Sequence, residues 1–155
     1  AKAATTLTAM FKKDTKVVSS LDKDIKTTAD IELNDCIVKL LEPTGIPIIS
    51  EEQNNEILLA SETYWIVDPL DGTYNFTRKF PFAAVSIALW SKGSPLLGVV
   101  HNVFNWDLFI GSIESPTTLN GKKLNVSIVE NNSEAILSTG FPSGGSYDTN
   151  DLLRF

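Results

Sequence analysis

Trp65-Ile66-Val67-Asp68-Pro69-Leu70-Asp71-Gly72-Thr73-Tyr74-Asn75-Phe76 begins as a strand and closes as a turn. Its first residues are apolar, aromatic and β-branched, the composition of a buried strand. Pro69 lacks a backbone donor and has a fixed φ, so the strand is predicted to end near Asp68. Asp68 and Asp71 then project from one sharp turn towards a common point. Two carboxylates held that close repel each other unless a cation lies between them. A hard divalent ion such as Mg2+ prefers oxygen ligands, and the Leu70 carbonyl could add one more. Gly72 lets a ligand approach the backbone, and a helix starting here would offer N–H groups to an anion. Taken alone, Asp-Pro-Leu-Asp-Gly suits an ordinary surface turn equally well, because Asp, Pro and Gly dominate turns.

The longer string is more specific. Trp65 through Thr73, followed by Asn75-Phe76 and Phe80-Pro81-Phe82, closely resembles the signature of the inositol monophosphatase family. Ser50-Glu51-Glu52, at the end of an apolar run upstream, matches that family's second landmark. Tyr74 departs from the pattern, since the inositol branch usually has a second Thr there. The resemblance covers nearly the whole chain but about the first half of a typical member. It implies hydrolysis of a small phosphate monoester with two or more Mg2+ ions, sensitivity to lithium, and a homodimer in the cytoplasm. The implied fold is the five-layer α-β-α-β-α sandwich, of which this chain would supply the first helix and sheet layers. Residues 1–133 then read as an α+β metal-binding domain and residues 134–155 as the start of a second, α/β domain. The chain opens Ala1-Lys2-Ala3 and stops at Asp151-Leu152-Leu153-Arg154-Phe155, which reads as a helix start, so both ends are expected to be cut from a longer protein.

Composition is that of an ordinary globular sequence. The chain has 155 residues, 43% hydrophobic and 21% charged, enough for one domain with a sizeable core. No apolar run reaches membrane-spanning length and no signal-peptide pattern opens the chain, so no membrane partner is expected. A formal net charge of −6 argues against a nucleic-acid backbone as partner. Bound Mg2+ would reverse the local sign where a phosphate must sit. The single cysteine, Cys36, excludes an internal disulfide and fits a reducing compartment.

Along the chain, Leu7, Met10 and Phe11 sit at helical spacing, and Lys12 to Lys26 reads as a polar connection that could hold a short hairpin. Leu33, Cys36, Ile37, Leu40 and Leu41 predict one apolar helix face, with candidate caps in Thr27-Thr28-Ala29-Asp30 and stop signals at Pro43 and Gly45. Ile46 to Ser50 is a short strand, and Gln53 to Thr63 a loop. Alternation predicts strands over Ala83–Leu89, Leu96–Val103 and Trp106–Ile110, with turns at Ser91–Pro95 and Asn105. Asn120-Gly121 signals a hairpin. Glu134 to Thr139 reads as a further strand, before a loop over Gly140–Gly145. Strands packed on helices with a largely antiparallel sheet make the class α+β.

On the resemblance, Glu51, Asp68 and the Leu70 carbonyl hold one metal ion, and Asp68 and Asp71 reach a second, whose remaining carboxylate comes from beyond this chain. Thr73 hydrogen-bonds the attacking water, and Asp30 stands behind Thr73, because a hydroxyl alone is too weak a base. Glu52 lies in the outer shell. Asp71 and the backbone of Gly72 and Thr73 contact the substrate phosphate. By pattern alone Asp30 reads as an N-cap, a role compatible with the other. Three residues are set aside. Asp107, after Trp106, resembles the Trp-Asp pair carrying the family's last metal ligand but falls in a hairpin, facing solvent. His101 has no nucleophile motif beside it. Cys36 lies on the apolar helix face as inert core. Competing functions are a 3'(2'),5'-bisphosphate nucleotidase, a fructose-1,6-bisphosphatase, or, in a different class, an inactive metal-binding or dimerising fragment.

Overall fold

The computed structural model of the chain describes residues 17–21, 24–52, 61–136 and 138. The helix around Leu7, Met10 and Phe11, most of the Gln53–Thr63 loop, the Gly140–Gly145 loop and the Asp151–Phe155 terminus lie outside the described residues. A two-stranded antiparallel ribbon comes first, β1 (Val17–Leu21) with β2 (Asp24–Thr27), so the polar connection does hold a hairpin. Helix α1 (Thr28–Leu41) follows at once. Then come β3 (Ile48–Ser50), β4 (Thr63–Asp71), helix α2 (Thr73–Thr77), β5 (Ala84–Ser91), β6 (Ser94–Asn102), β7 (Asp107–Ser112), β8 (Thr118–Leu119) and β9 (Lys122–Lys123). Strands β3 to β9 form one sheet in chain order. All its pairs are antiparallel except β3 with β4, which are parallel. The class is α+β, as the sequence predicts.

Tight turns make this meander. Lys92-Gly93 and Asn120-Gly121 both have positive φ at each residue (49° and 77°, 51° and 78°), the two-residue geometry whose twist matches paired strands. The first of these turns is shorter than the sequence suggests: Ser94 and Pro95 already belong to β6, where a register shift absorbs the proline. Gly45 (φ 67°) caps the 3₁₀ turn over Glu42–Thr44 that ends the helix, as a left-handed glycine does at a helix terminus.

The core joins one face of α1 to β4 and β5. Ala29, Leu33 and Ile37 bury against Val67, Leu70, Phe76, Ala83, Val85 and Val103. Each large aliphatic or aromatic side chain removed from water here contributes about 1.5–3 kcal/mol. The buried face differs from the predicted one. Asp30 and Asn34 are buried beside Leu33 and Ile37, whereas Cys36 is half-buried and Leu40 is 46% exposed. The helix is rolled towards its polar residues because both find partners inside, and a buried polar group with partners costs little.

Two further expectations fail. Glu134 lies in a 3₁₀ turn (Asn132–Glu134), and Ile136 is 99% exposed. Among the described residues no strand lies beside Glu134–Ile136 to pair with it, and an apolar run is not a strand without a ladder; Leu137 and Thr139 lie outside the described residues. Nor does β4 end near Asp68. It continues to Asp71 across a bulge, where a residue without an N–H is tolerated. Among the described residues no helix is long and apolar enough to cross a membrane.

Candidate active site

The bulge in β4 creates the site. Asp68 pairs with Ser86 and Asp71 with Ala84, so β4 takes three steps where β5 takes two. In a regular strand, residues three apart point to opposite faces. The extra residue restores the phase, and Asp68 and Asp71 share a face while Val67 and Leu70 bury on the other. The Leu70 N–H donates to Asp68 Oδ1 at 3.1 Å, which fixes the first carboxylate over the bulge. A β-bulge, and not the end of a strand, therefore brings the two aspartates together.

Glu51 arrives from the neighbouring strand. β3 runs parallel to β4 with Ser50 opposite Val67, and the Glu51 N–H extends the ladder to the Val67 carbonyl at 3.2 Å. One residue past this register lies Asp68. The strand end is bolted from behind: the fully buried Ser50 donates its hydroxyl to Asn34 Oδ1 of α1 at 2.6 Å. Asn34 is a contributor that sequence patterns did not single out. Its signal was a polar residue four positions after Asp30, on the helix face that buries.

Asp30 is held from both sides. The Thr27 N–H and hydroxyl both donate to Asp30 Oδ2, at 2.7 and 2.5 Å. Thr27 is the N-cap and Asp30 the third helical residue of a capping box, so Asp30 is not itself the N-cap. Its other oxygen, Oδ1, lies 3.0 Å from Thr73 Oγ1, which is also 3.0 Å from the Leu70 carbonyl. A hydroxyl has one hydrogen, and the carboxylate is the stronger acceptor. Donation to Asp30 leaves the lone pairs of Thr73 Oγ1 to accept from a water. Capping the helix and holding Thr73 are thus one arrangement.

Glu52, the next residue, has an ionic partner of its own. Its side chain, 7% exposed, forms an ion pair with Lys26 of β2 at 2.8 Å.

Burial, and then the nearby carboxylates of Glu51 and Asp71, push the Asp68 carboxyl up to about 7. Desolvation and like charge both disfavour its ionised form. Among the described residues no three acidic, His or Cys side chains are drawn into a ready-made metal cage. The donor chemistry nonetheless suits Mg2+, which takes oxygen ligands, keeps several waters and uses one or two carboxylates at a time. A half-buried carboxyl crowded by two others is the group that a cation would relieve.

Gly72 has φ 83°, and a Cβ there would lie 2.7 Å from the Phe82 carbonyl. That carbonyl accepts from Asn75 Nδ2 at 2.9 Å, so the Phe80–Phe82 loop is latched onto α2 directly over the motif. Asp71, Gly72, Asn75, Phe82, Ala84 and Asn102 line a cleft of about 150 Å3 beside the carboxylates. A larger, apolar cleft of about 340 Å3, walled by Leu89, Leu96, Leu97 and Ile113, shares no residue with them.

Two of the three residues set aside, Asp107 and Cys36, sit in settings other than those expected. Asp107 does not simply face solvent: it accepts from Asn105 Nδ2 (2.7 Å) and Asn120 Nδ2 (2.9 Å), tying two turns together. His101 is buried with its ring edge-on to Trp106, and burial holds its imidazole below the usual histidine range. Cys36 is partly exposed and no core residue.

The chain matches the model of the inositol monophosphatase family over residues 1–154. Among curated proteins it is 38% identical over 95 residues to Nus factor SuhB of Salmonella typhimurium, covering 61% of this chain and 36% of that protein. It is 32% identical over 120 residues to an inositol-1-monophosphatase of Synechocystis, covering 76% and 42%. Among solved structures, the extragenic suppressor protein suhB of Bartonella henselae superposes with a TM-score of 0.76 at 32% identity, over 83% of this chain and 51% of that one. The chain thus spans about a third to two-fifths of these curated relatives and half of the solved structure.

Proposed function

The chain belongs to the inositol monophosphatase family, and from that premise we propose that it carries the cation-binding part of a Mg2+-dependent phosphatase acting on a small phosphate monoester, an inositol monophosphate first among them. The observation that carries this reading is the β4 bulge, which turns Asp68 and Asp71 to one face beside Glu51. Glu51, Asp68, Asp71 and the Leu70 carbonyl would hold the metal. When bound, such ions supply the positive charge that a phosphate ester and its departing oxygen need.

The chain's own residues would do the rest. Asp30, fixed by Thr27, takes the Thr73 hydrogen. Thr73 Oγ1 then accepts from a water and aims one of its lone pairs at phosphorus. The Gly72 and Thr73 backbone, with Asp71 beside it, faces the phosphate oxygens. Residues 1–133 would form the metal-binding domain and 134–155 the entry to a second one, since among the described residues the paired strands end at Lys123 and the match covers only about half of the solved relative. Limited proteolysis of the intact protein should cut first near that junction, and an early cut within β4–β6 would contradict the division. A homodimer in the cytoplasm belongs to the same reading and is carried by the family alone. Light scattering that showed only monomers at micromolar concentration would remove the dimer from it.

The test is phosphate release by the intact protein from inositol monophosphates, with phosphoadenosine phosphate and fructose 1,6-bisphosphate alongside, in Mg2+ with and without lithium, together with a count of bound Mn2+. Turnover of the inositol ester above the other two is the expected result. Preference for either of the others would move the substrate assignment. A protein that hydrolyses none and binds no Mn2+ would be the inactive fragment.

A further inference from the structure

Lys26 has no place in the reaction described above, yet it meets Glu52, the acidic neighbour of Glu51. The ion pair is short, 2.8 Å, and largely withdrawn from water: the Glu52 side chain is 7% exposed and that of Lys26 38%. Lys26 stands at the end of β2, immediately before Thr27, whose N–H and hydroxyl hold Asp30. Glu52 stands one residue past Glu51, and its N–H approaches the Ser50 hydroxyl at 3.4 Å. One contact therefore joins the end of the ribbon, where Thr27 holds Asp30, to the turn that follows β3 and carries Glu51.

We propose that Lys26 is a positioning residue: by pairing with Glu52 it withholds that carboxylate from the cation cluster of Glu51, Asp68 and Asp71, and it clips β2 to the end of β3. The proposal rests on the reading of that cluster as a cation site. Adjacent residues of a turn can reach the same space, and the ion pair with Lys26 holds the Glu52 carboxylate away from such a position. A fourth carboxylate would tighten the hold on a divalent ion and displace waters that Mg2+ prefers to keep. Losing the lysine would also leave a nearly buried carboxylate with its partner gone, and breaking such a pair is costly.

A double-mutant cycle on the intact protein separates these effects. Wild type, Lys26→Met, Glu52→Gln and the double variant are compared by thermal stability in EDTA and by titration with Mn2+ followed through the resonance of the free ion. Lys26→Met should lose roughly 3–6 °C in EDTA and bind Mn2+ roughly three- to ten-fold more tightly. In the Glu52→Gln background the same substitution should do neither, and Lys26→Arg should stay close to wild type in both. If Lys26→Met does not fold while the double variant does, the pairing is equally supported. If both fail to fold, or if Lys26→Met has the same effect with and without Glu52, the proposal falls. A wild type that binds no Mn2+ refutes the cation site itself and with it the withholding role, while the EDTA cycle still decides whether the clip exists.

Discussion

Asp68→Asn should make the metal-free protein more stable in mild alkali and leave it unchanged in acid. The carboxyl is raised from its ordinary 3.8 to about 7 in the folded chain, by burial and then by Glu51 and Asp71. That is about three units, or about 4 kcal/mol at 1.36 kcal/mol per unit. Asp68 is only half-buried, so water screens part of this, and about 2 kcal/mol is the reasonable magnitude. The folded state holds the proton more tightly than the unfolded one, so stability falls as pH rises from about 4 to about 7 and stays lowered above that. Asn carries no charge and its Oδ1 can still accept from the Leu70 N–H, so the variant escapes the fall. Urea unfolding in EDTA at about pH 3.5, below the ordinary carboxyl range, and at about pH 8 checks this: near-equal stabilities at the lower pH, and a gain of about 2 kcal/mol for the variant at the higher. With millimolar Mg2+ the order should reverse at pH 8, because only wild type gains from the ion. A variant less stable than wild type at pH 8 in EDTA would show that the carboxylate is welcome where it sits, and the repulsion argued for the site would be wrong.

Other substitutions probe neighbouring parts of the site. Thr73→Ala should lower kcat by roughly 10²-fold or more with a smaller change in substrate affinity, since in the proposed reaction the hydroxyl aims a water while the backbone faces the phosphate; a loss confined to KM would contradict that role. Gly72→Ala should cost about 2 kcal/mol or more in thermal unfolding, because the left-handed backbone and the Phe82 carbonyl both oppose a Cβ. An innocuous Ala there would mean that the Phe80–Phe82 loop is not latched as described. Asp107→Asn should leave Mn2+ affinity untouched and cost about 1 kcal/mol through its links to Asn105 and Asn120. A severe drop in Mn2+ affinity would make Asp107 a ligand after all.

What could be read from the residues was local. The strand before Asp68, the glycine turns and the Asn120-Gly121 hairpin are written in neighbouring residues, and each formed where its signal lay. The bulge was not legible, because a bulge is defined against a partner, and Ser86 and Ala84 are thirteen or more residues from the aspartates they face. Pro69 alone is compatible with a strand end or a bulge. The helix face was misplaced at Cys36 and Leu40 because apolar periodicity cannot see that Asp30 and Asn34 have partners waiting in Thr73 and Ser50. For the same reason Lys26 passed as one more charge in a polar stretch. The Asp30–Thr73 pairing was available only from a family pattern, since nothing in either residue's surroundings points forty-three positions along the chain.

That separation bears on the order in which the chain organises itself. The Asp30–Thr73 hydrogen bond joins residues 43 apart, whereas β5, β6 and β7 are linked by turns a few residues long. Closing a long loop loses chain entropy before any contact rewards it, so short-range hairpins precede it. The meander over Ala84–Ser112 is thus suited to be the nucleus, with α1 settling onto it afterwards through Leu33 and Ile37. The threonine hydroxyl comes into line only once α1 has docked and β4 has acquired its bulge. On the proposed reaction, a nascent or partly folded chain would then lack the aligned water-binding group even where its aspartates have met, and competence for chemistry would arrive last. Substitutions at Thr73 should leave the refolding rate unaltered, while those at Val85 or Ile87 should slow it.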